Sequence, residues 1–277
     1  MIDLHIHTTY SDGNKTPNEI IEMAIEKNID TISFCDHNSI KAYDAVSTSK
    51  SIKIINGIEF YALKENVSGT FHMLAYDYLI NNEFNELMSY FEEKRKESME
   101  VKLKKTYTKF GINIDIDDLN QDWLCNKSLS EFLLQLYDKE KVKEIVDYVR
   151  SLKIKTDRKI DYKNLIEIIR NANGIPVLAH PKSIVCDNFD DFIKDLVKCG
   201  IMGIEVYHSS HDLKDIKKFL EISKKYNLLV SGGSDYHGYH HKNSLGEDVL
   251  LGNCNFDKGI DDVSILRYIR SRKWYIN

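Results

Sequence analysis

The chain opens on short apolar runs that alternate with amphipathic stretches. Asp3-Leu4-His5-Ile6-His7 reads as a strand, and because alternate strand side chains share a side, His5 and His7 point the same way. Ser11-Asp12-Gly13 marks the turn that follows, from which the Asp12 carboxylate can fold back toward the two imidazoles. Thr16-Pro17-Asn18-Glu19 starts a helix: Thr16 caps, Pro17 suits the first position and Glu19 completes a capping box. Ile20, Ile21, Ala24 and Ile25 give that helix its buried stripe. Thr31 to Cys35 is a strand running into Asp36-His37-Asn38. A short helix is expected from Ile40 to Val46. A second buried strand spans Ile52 to Phe60 and ends at Glu59, and Phe71 to Tyr76 is a further strand carrying His72.

Between residues 82 and 156 the rhythm changes. Phe84 to Phe110 is one long charged helical stretch that stops at Gly111. Ser128-Leu129-Ser130-Glu131 reads as a capping box for a helix that turns Phe132, Leu133 and Leu136 inward. Glu140 to Leu152 is a third helix. The strand-helix alternation then resumes. Asp161 caps a helix from Tyr162 to Asn173, and Pro176 to Ala179 is a strand followed by His180-Pro181. A helix from Phe189 to Cys199, a strand from Gly203 to Tyr207 and a helix from Leu213 to Tyr226 come next. Leu228 to Gly233 is a strand running into Ser234-Asp235-Tyr236-His237-Gly238, and a helix from Val263 to Arg272 precedes Trp274-Tyr275-Ile276. Strands alternating with helices, with chemically active residues at strand ends, predict an α/β fold with a parallel sheet closed or nearly closed into a barrel. Residues 1–81 and 157–277 would form it, and residues 82–156 a helical insertion or lid.

Composition narrows the classes. The chain has 277 residues, 42% of them hydrophobic, enough for one large core. A net charge of -5 excludes a global basic field for nucleic acid. Cys35, Cys125, Cys186, Cys199 and Cys254 are scattered and form no Cys-x-x-Cys, as expected of reduced thiols in a cytoplasmic protein. No signal peptide fits the start, and no apolar run approaches the ~20 residues of a membrane span.

Nine metal-ligand types stand at or near strand ends: His5, His7, Asp12, His37, Glu59, His72, His180, Asp235 and His237. Neutral imidazoles gathered without a cation would leave buried acceptors unpaired. Nine ligands suffice for two to three divalent ions, with Glu59 suited to bridge two of them. Imidazole with carboxylate suits Mn, Fe and Zn alike.

The motifs Asp-Leu-His-Ile-His-Thr with Ser-Asp-Gly, Cys-Asp-His-Asn, Gly-Ile-Glu-Phe, Ala-His-Pro and Gly-Gly-Ser-Asp-Tyr-His-Gly resemble those of the PHP (polymerase and histidinol phosphatase) superfamily. They are most similar to its stand-alone metal-dependent phosphoesterases, which act on nucleotides such as 3',5'-bisphosphates and in some members on 5' ends of short RNA. The resemblance implies a distorted (βα)7 barrel with a trinuclear centre and a helical insertion. It implies that His5, His7, Glu59 and Asp235 hold one metal, Glu59, His72 and His180 a second, and Asp12, His37 and His237 a third. Asp36 would orient a ligand from behind. The implied chemistry is attack on phosphorus by a metal-bridging hydroxide, with Glu59 and Asp235 central to it.

The resemblance has departures. Histidinol phosphatases of this superfamily tend to carry histidine where Asp12 stands. Nucleotide-type members often place arginine in the insertion and after Ala-His-Pro, whereas the nearest cations here are Lys127 and Lys182, which are the candidates to hold phosphate. His208 is a candidate for substrate contact or for donating a proton to the leaving oxygen; His211 reads as a solvated turn residue, and His240 and His241 as exposed. The Lys/Arg run from Lys94 to Lys105, interleaved with glutamates, reads mainly as a solvated helix face. The expected substrate is a small phosphate ester of nucleotide type or a short oligonucleotide. Histidinol-phosphate phosphatase, a 3'-exonuclease and a purely structural metal module remain open, as does the oligomeric state.

Overall fold

The structure is a computed structural model that describes residues 1–46, 52–120, 124–152, 154, 159–238, 242–243, 247–254 and 263–272. Its strands are β1 (Ile2–Ile6), β2 (Thr31–Phe34), β3 (Lys53–Ile54), β4 (Gly57–Leu63), β5 (Ser68–Gly69), β6 (His72–Tyr76), β7 (Ile160–Asp161), β8 (Ile175–Leu178), β9 (Ile184–Val185), β10 (Gly203–His208) and β11 (Leu229–Gly233). Its α-helices are α1 (Pro17–Glu26), α2 (Asn82–Phe110), α3 (Asn126–Leu133), α4 (Lys139–Ser151), α5 (Tyr162–Asn171), α6 (Phe189–Cys199), α7 (Leu213–Tyr226) and α8 (Ser264–Ser271). Among the described residues no helix is long and apolar enough to cross a membrane.

The fold is mixed α/β. One sheet runs β1-β2-β3 and a larger one β11-β10-β8-β6-β4-β7. Two isolated bridges join them: Ile6 pairs with Tyr236 beyond β11, and His37 beyond β2 pairs with Glu59 in β4. The expectation of a purely parallel sheet needs correction, because β6 runs antiparallel to both β4 and β8. Eight residues separate β4 from β6, too few for the crossover helix that a parallel neighbour demands. Three local expectations also change. The helix expected from Ile40 is a 3-10 turn over Lys41–Ala45. The strand from Ile52 breaks between β3 and β4, where the Gly57 amide donates to the Tyr43 hydroxyl. The helix expected to open at Ser128 opens at Asn126 and ends at Leu133, which leaves Leu136 exposed. Trp274-Tyr275-Ile276 and His240-His241 lie outside the described residues.

Packing explains why β1 is buried along its whole length. Ile2 and Leu4 enter the main apolar cluster, which also takes in β6, β8, β10, α5 and α6, while Ile6 joins a second cluster with Ile20, Ala24, Ile32 and Phe34. The α1 capping box forms as expected, and Gly111 takes the left-handed conformation that closes α2. Helix α2 belongs to two clusters. Phe84, Leu87 and Phe91 pack on the main body, whereas Met99 and Leu103 pack with Leu129, Leu133, Val142, Ile145 and Val149 of α3 and α4. One continuous 29-residue helix therefore spans both groups.

At the end of β11, Gly233 lies directly against β1. A Cβ there would sit 2.2 Å from the His5 Cβ and 2.3 Å from its amide nitrogen, well inside van der Waals contact. Gly233→Ala should destabilise the metal-free protein by about 3 kcal/mol, the upper end of overpacking effects. Gly111→Ala, where only the left-handed φ resists and a Cβ meets open space, should cost about 1 kcal/mol. Urea unfolding of the two variants checks the order; equal losses would show that β11 can move away from His5.

Candidate functional site

The site is built on turns that leave the strands in strained conformations. Asn38, His180 and Asp235 all have positive φ (50°, 23° and 58°), a region that non-glycine residues adopt only when their surroundings hold them there. Each of their amides is held by a neighbour in the site. Asn38 N donates to the Glu59 carbonyl at 2.8 Å, Asp235 N to the His5 carbonyl at 2.8 Å, and His180 N to Glu205 Oε2 at 2.7 Å. Two buried carboxylates fasten the surrounding loops. Asp3 accepts from Ser234 N, Ser234 Oγ and Gly252 N. Asp36 accepts from Thr8 N, Thr8 Oγ1 and Ser11 Oγ. Asp36 thus supports the turn between His7 and Asp12 and, through Ser11 Oγ, 3.4 Å from His7 Nδ1, stands behind a candidate ligand.

The nine sequence-chosen residues converge. Glu59, 1% exposed, is the hub. Its Oε1 lies 2.8 Å from His180 Nε2, 3.0 Å from His72 Nδ1 and 3.5 Å from His5 Nε2; its Oε2 lies 2.9 Å from His37 Nδ1 and 3.3 Å from His7 Nε2. Asp235 Oδ1 is 3.1 Å from His7 Nε2 and 3.4 Å from His5 Nε2. Asp12 stands 3.3 Å from His237 Nε2 and 3.7 Å from His37 Nε2. The groups whose ligand atoms lie mutually close are His5-His7-Asp235, His7-Asp12-His37-His237, His37-Glu59-His72 and His5-Glu205-His208. The three-way division that the resemblance implies is blurred here, since His5, His7 and His37 each belong to two groups.

Charge and tautomer agree with divalent cations. Burial alone would lower the His5 and His7 pKa values, but nearby carboxylates win. Glu205, Glu59 and Asp235 raise His5 well above its ordinary range, and Asp235, Glu59 and Asp12 raise His7 to about 10. Burial would raise Glu59 and Asp235, yet His72, His5 and His37 hold the first, and His5 and His237 the second, well below the usual carboxylate range. The same carboxylates that draw protons to these rings draw cations, and bound ions displace the protons. Ring orientation fits as well. His5 Nδ1 faces Glu205 Oε1 at 2.9 Å and His237 Nδ1 faces the Asp235 carbonyl at 2.8 Å. Each ring can donate on that side and turn Nε2 inward, the arrangement that ligating histidines show. His5 Nε2 and His7 Nε2 then lie 3.2 Å apart, two nitrogens that a shared cation satisfies together. The clusters therefore suit divalent ions.

Two cavities meet at this centre. One, of about 500 Å3, is lined by His37, Glu59, His72, His180, Lys182, His208, Asp235 and His237. The other, of about 420 Å3, lies between the strand ends and α2-α3, with Asp12, His37, Tyr61, Phe91, Arg95, Met99, Lys102, Lys127 and Arg150 on its walls. His37 lines both.

A family profile described as PHP domain matches residues 3–177. The chain belongs to the PHP family. It is accordingly a hydrolase of the phosphoesterase type. Among its relatives, a phosphoribosyl 1,2-cyclic phosphate 1,2-diphosphodiesterase from Eggerthella lenta is 25% identical, over 85% of this chain and 94% of the relative. A 3',5'-nucleoside bisphosphate phosphatase from Chromobacterium violaceum is 26% identical, over 85% of this chain and 87% of the relative. The fold is shared with a candidate metal-dependent phosphoesterase from Bifidobacterium adolescentis, at a TM-score of 0.70 and 23% identity over 91% of this chain and 93% of that one.

Within this PHP chain several residues differ from their sequence reading. Arg95 lies on the charged face read as solvated, yet it is half-buried between Phe91 and Met99 and donates to the Asn38 carbonyl at 3.1 Å. Its place halfway between the two apolar groups of α2 was the available signal. Lys127 does line the basic cavity. Lys182 lines the cluster cavity, with Nζ 2.6 Å from Asp215 and 3.0 Å from the Ser210 carbonyl. His211 is buried, against expectation. Its Nδ1 faces the Val206 carbonyl at 2.8 Å, and burial together with His208 lowers its pKa to about 4. Glu205, noted in the sequence only as part of a strand, faces His5 across 200 positions of chain.

Manganese should raise the melting temperature of the metal-stripped protein. At a free concentration a hundredfold above its Kd the gain is about 2.7 kcal/mol. Glu59→Gln, which halves the acceptor capacity at the hub, should lose most of it; scanning calorimetry showing the same gain in both proteins would remove Glu59 from the ion site.

Proposed function

We propose that the chain releases phosphate from a small nucleotide-type ester carrying a second anionic group, such as a 3',5'-bisphosphonucleotide, or from the 5' end of a short RNA. One observation carries this reading: the ligand cluster and the cavity bearing Arg95, Lys102, Lys127 and Arg150 share the His37 wall. A phosphate at the cluster leaves the rest of its ester facing those cations. A volume of about 420 Å3 lies within the range of small-ligand pockets, and Tyr61, Phe91 and Met99 offer apolar surface for a base. The bisphosphate phosphatase among the relatives supports the same substrate class.

In this reading β1, β2, β4, β6, β8, β10 and β11 make a distorted seven-stranded barrel, for which the two isolated bridges speak. Residues 82–156 form a lid over its mouth. The metal ligands are His5, His7, Asp12, His37, Glu59, His72, His180, Asp235 and His237, sharing two to three ions of Mn, Fe or Zn. When bound, such ions neutralise phosphate oxygens and acidify water for attack in line with the leaving oxygen. The protein's own groups position and protonate. Arg95, held against the carbonyls beside His37, presents its guanidinium to the second anion. His208 accepts from Ser210 N at its Nδ1, 3.0 Å away. The proton of the neutral ring is then on Nε2, which points to Asp235 Oδ2 at 3.4 Å, on the wall of the cluster cavity. That proton is the one available to the leaving oxygen.

A phosphate-release screen over nucleoside mono- and bisphosphates, histidinol phosphate and 5'-phosphorylated oligonucleotides, with manganese and with chelator, tests the assignment. Bisphosphate should lead and chelator should abolish turnover; a lead by histidinol phosphate would overturn it, and 3'-end degradation of oligonucleotides would point to an exonuclease. Arg95→Ala should lower kcat/KM for the bisphosphate about 10- to 100-fold, the range of a hydrogen bond to a charged group, and leave p-nitrophenyl phosphate nearly unchanged. His208→Gln should slow nucleotide hydrolysis about 100-fold and spare p-nitrophenyl phosphate, whose leaving group needs no proton. Equal loss on both substrates would assign His208 to the ion site.

A further inference from the structure

Glu205 sits in the middle of β10, fully buried, with both carboxylate oxygens engaged. Its Oε1 meets His5 Nδ1 at 2.9 Å and its Oε2 accepts the His180 amide at 2.7 Å. Those two contacts lead to two arms of the centre that meet at Glu59 Oε1, 3.5 Å from His5 Nε2 and 2.8 Å from His180 Nε2. His5 turns its other nitrogen toward Asp235 and His7, whereas His180 turns Nε2 toward Glu59 Oε1 beside His72. The His180 backbone, at φ 23°, is held in a region that needs an outside partner for its amide. The two rings also stack, 5.9 Å between centroids at 22°.

We propose that Glu205 is a positioning residue that couples the two ligand sets. It fixes His5 as the Nδ1–H tautomer and seats the His180 turn, so that the ion positions served by each fill together. The inference rests on the metal reading of the cluster. A carboxylate is required on chemical grounds. Two N–H donors, one on a ring and one on the backbone, converge on a single side chain, and only a group with two acceptor oxygens satisfies both. Glutamine offers one oxygen and one NH2: with the NH2 toward His5, Nδ1 must accept and the ring becomes Nε2–H, and with the NH2 toward His180 the backbone amide loses its acceptor. Alanine leaves both donors buried and unpaired.

Two measurements on Glu205→Gln test this. The first is independent of ions: long-range 1H–15N spectra of the metal-stripped protein, with His5 assigned through His5→Gln, report which ring nitrogen carries the proton. Wild type should show His5 as Nδ1–H or doubly protonated across the range of pH, never as Nε2–H alone. Glu205→Gln should admit the Nε2–H form. The second is a manganese titration, read as ions bound per chain. Glu205→Gln should bind about 10- to 100-fold more weakly, the usual effect of losing such an outer partner. More than one ion per chain should be lost in the same step, while KM at saturating manganese stays within about twofold. An unchanged tautomer together with unchanged manganese binding would overturn the proposal. Loss of a single ion with the others retained would overturn the coupling. Failure of wild type itself to bind manganese would sink the metal reading and leave the tautomer result to judge Glu205. Circular dichroism of both metal-stripped proteins shows whether the variant folds; if it does not, Glu205→Asp, which keeps two acceptor oxygens on a shorter arm, should fold and retain the Nδ1–H form with intermediate manganese affinity, and wild-type affinity in that variant would overturn the proposal.

Discussion

A buried carboxylate ringed by imidazoles is the constraint to which the rest of this chain answers. Glu59 has essentially no contact with solvent and faces the rings of His5, His7, His37, His72 and His180. Taking an ionised carboxylate out of water is expensive unless opposite charge and hydrogen bonds replace the lost hydration. Imidazolium protons supply that charge in part, and divalent ions supply it more fully. Such ions also satisfy the ring nitrogens that face one another. Stability and chemistry thus draw on the same cluster: whatever holds these rings in place prepares a site for cations.

Holding them in place falls to the backbone and to three further carboxylates. Asp36 takes three donors from the loop that carries Asp12, Asp3 takes two from the Asp235 loop, one from Gly252 and one from the His5 amide, and Glu205 takes one donor from a ring and one from a strained turn. None of the three is spare: every oxygen among them meets at least one donor from a segment distant in sequence. The left-handed residues Asn38, His180 and Asp235 persist because their amides close onto neighbours in the same centre. The strain is therefore spread over a network in which each turn is held by the next, and the ligand atoms cannot drift independently.

Much of this was legible in the sequence because its causes are local. The two-residue spacing of His5 and His7, the turn at Asp12 and the ligand types after successive apolar runs all place side chains through strand geometry alone. The α1 capping box and the stop at Gly111 were legible for the same reason. What escaped depends on pairing across long stretches of chain. The direction of β6 follows from a short connection to β4 and from its other neighbour, β8, a hundred positions later. Glu205 alternates along β10 like any buried strand residue until His5 is placed against it. Arg95 sits among lysines and glutamates whose order does not say which side of α2 meets the main body. The ion pair of Lys182 with Asp215 was hidden for the same reason, since Asp215 lies on α7, beyond α6 and β10.

The position of Arg95 also resolves an apparent contradiction between an acidic chain and an anionic substrate. A net charge of -5 describes the whole surface, but exposed charges more than about 10 Å away are largely screened at ordinary ionic strength. The field inside a cavity is set by what lines it. Helix α2 is rooted in the main core through Phe84 and Phe91 and in the second cluster through Met99 and Leu103. Its middle turn is thus fixed from both ends, and Arg95 stands there. A guanidinium so placed keeps its geometry when the cavity fills, and its partial burial strengthens any ion pair it makes. Lys102, Lys127 and Arg150, from α2, α3 and α4, add charge to the lining of the same cavity. The proposed recognition of a second anion therefore asks for no basic surface, only one rigid helix crossing from the strand ends to the smaller core.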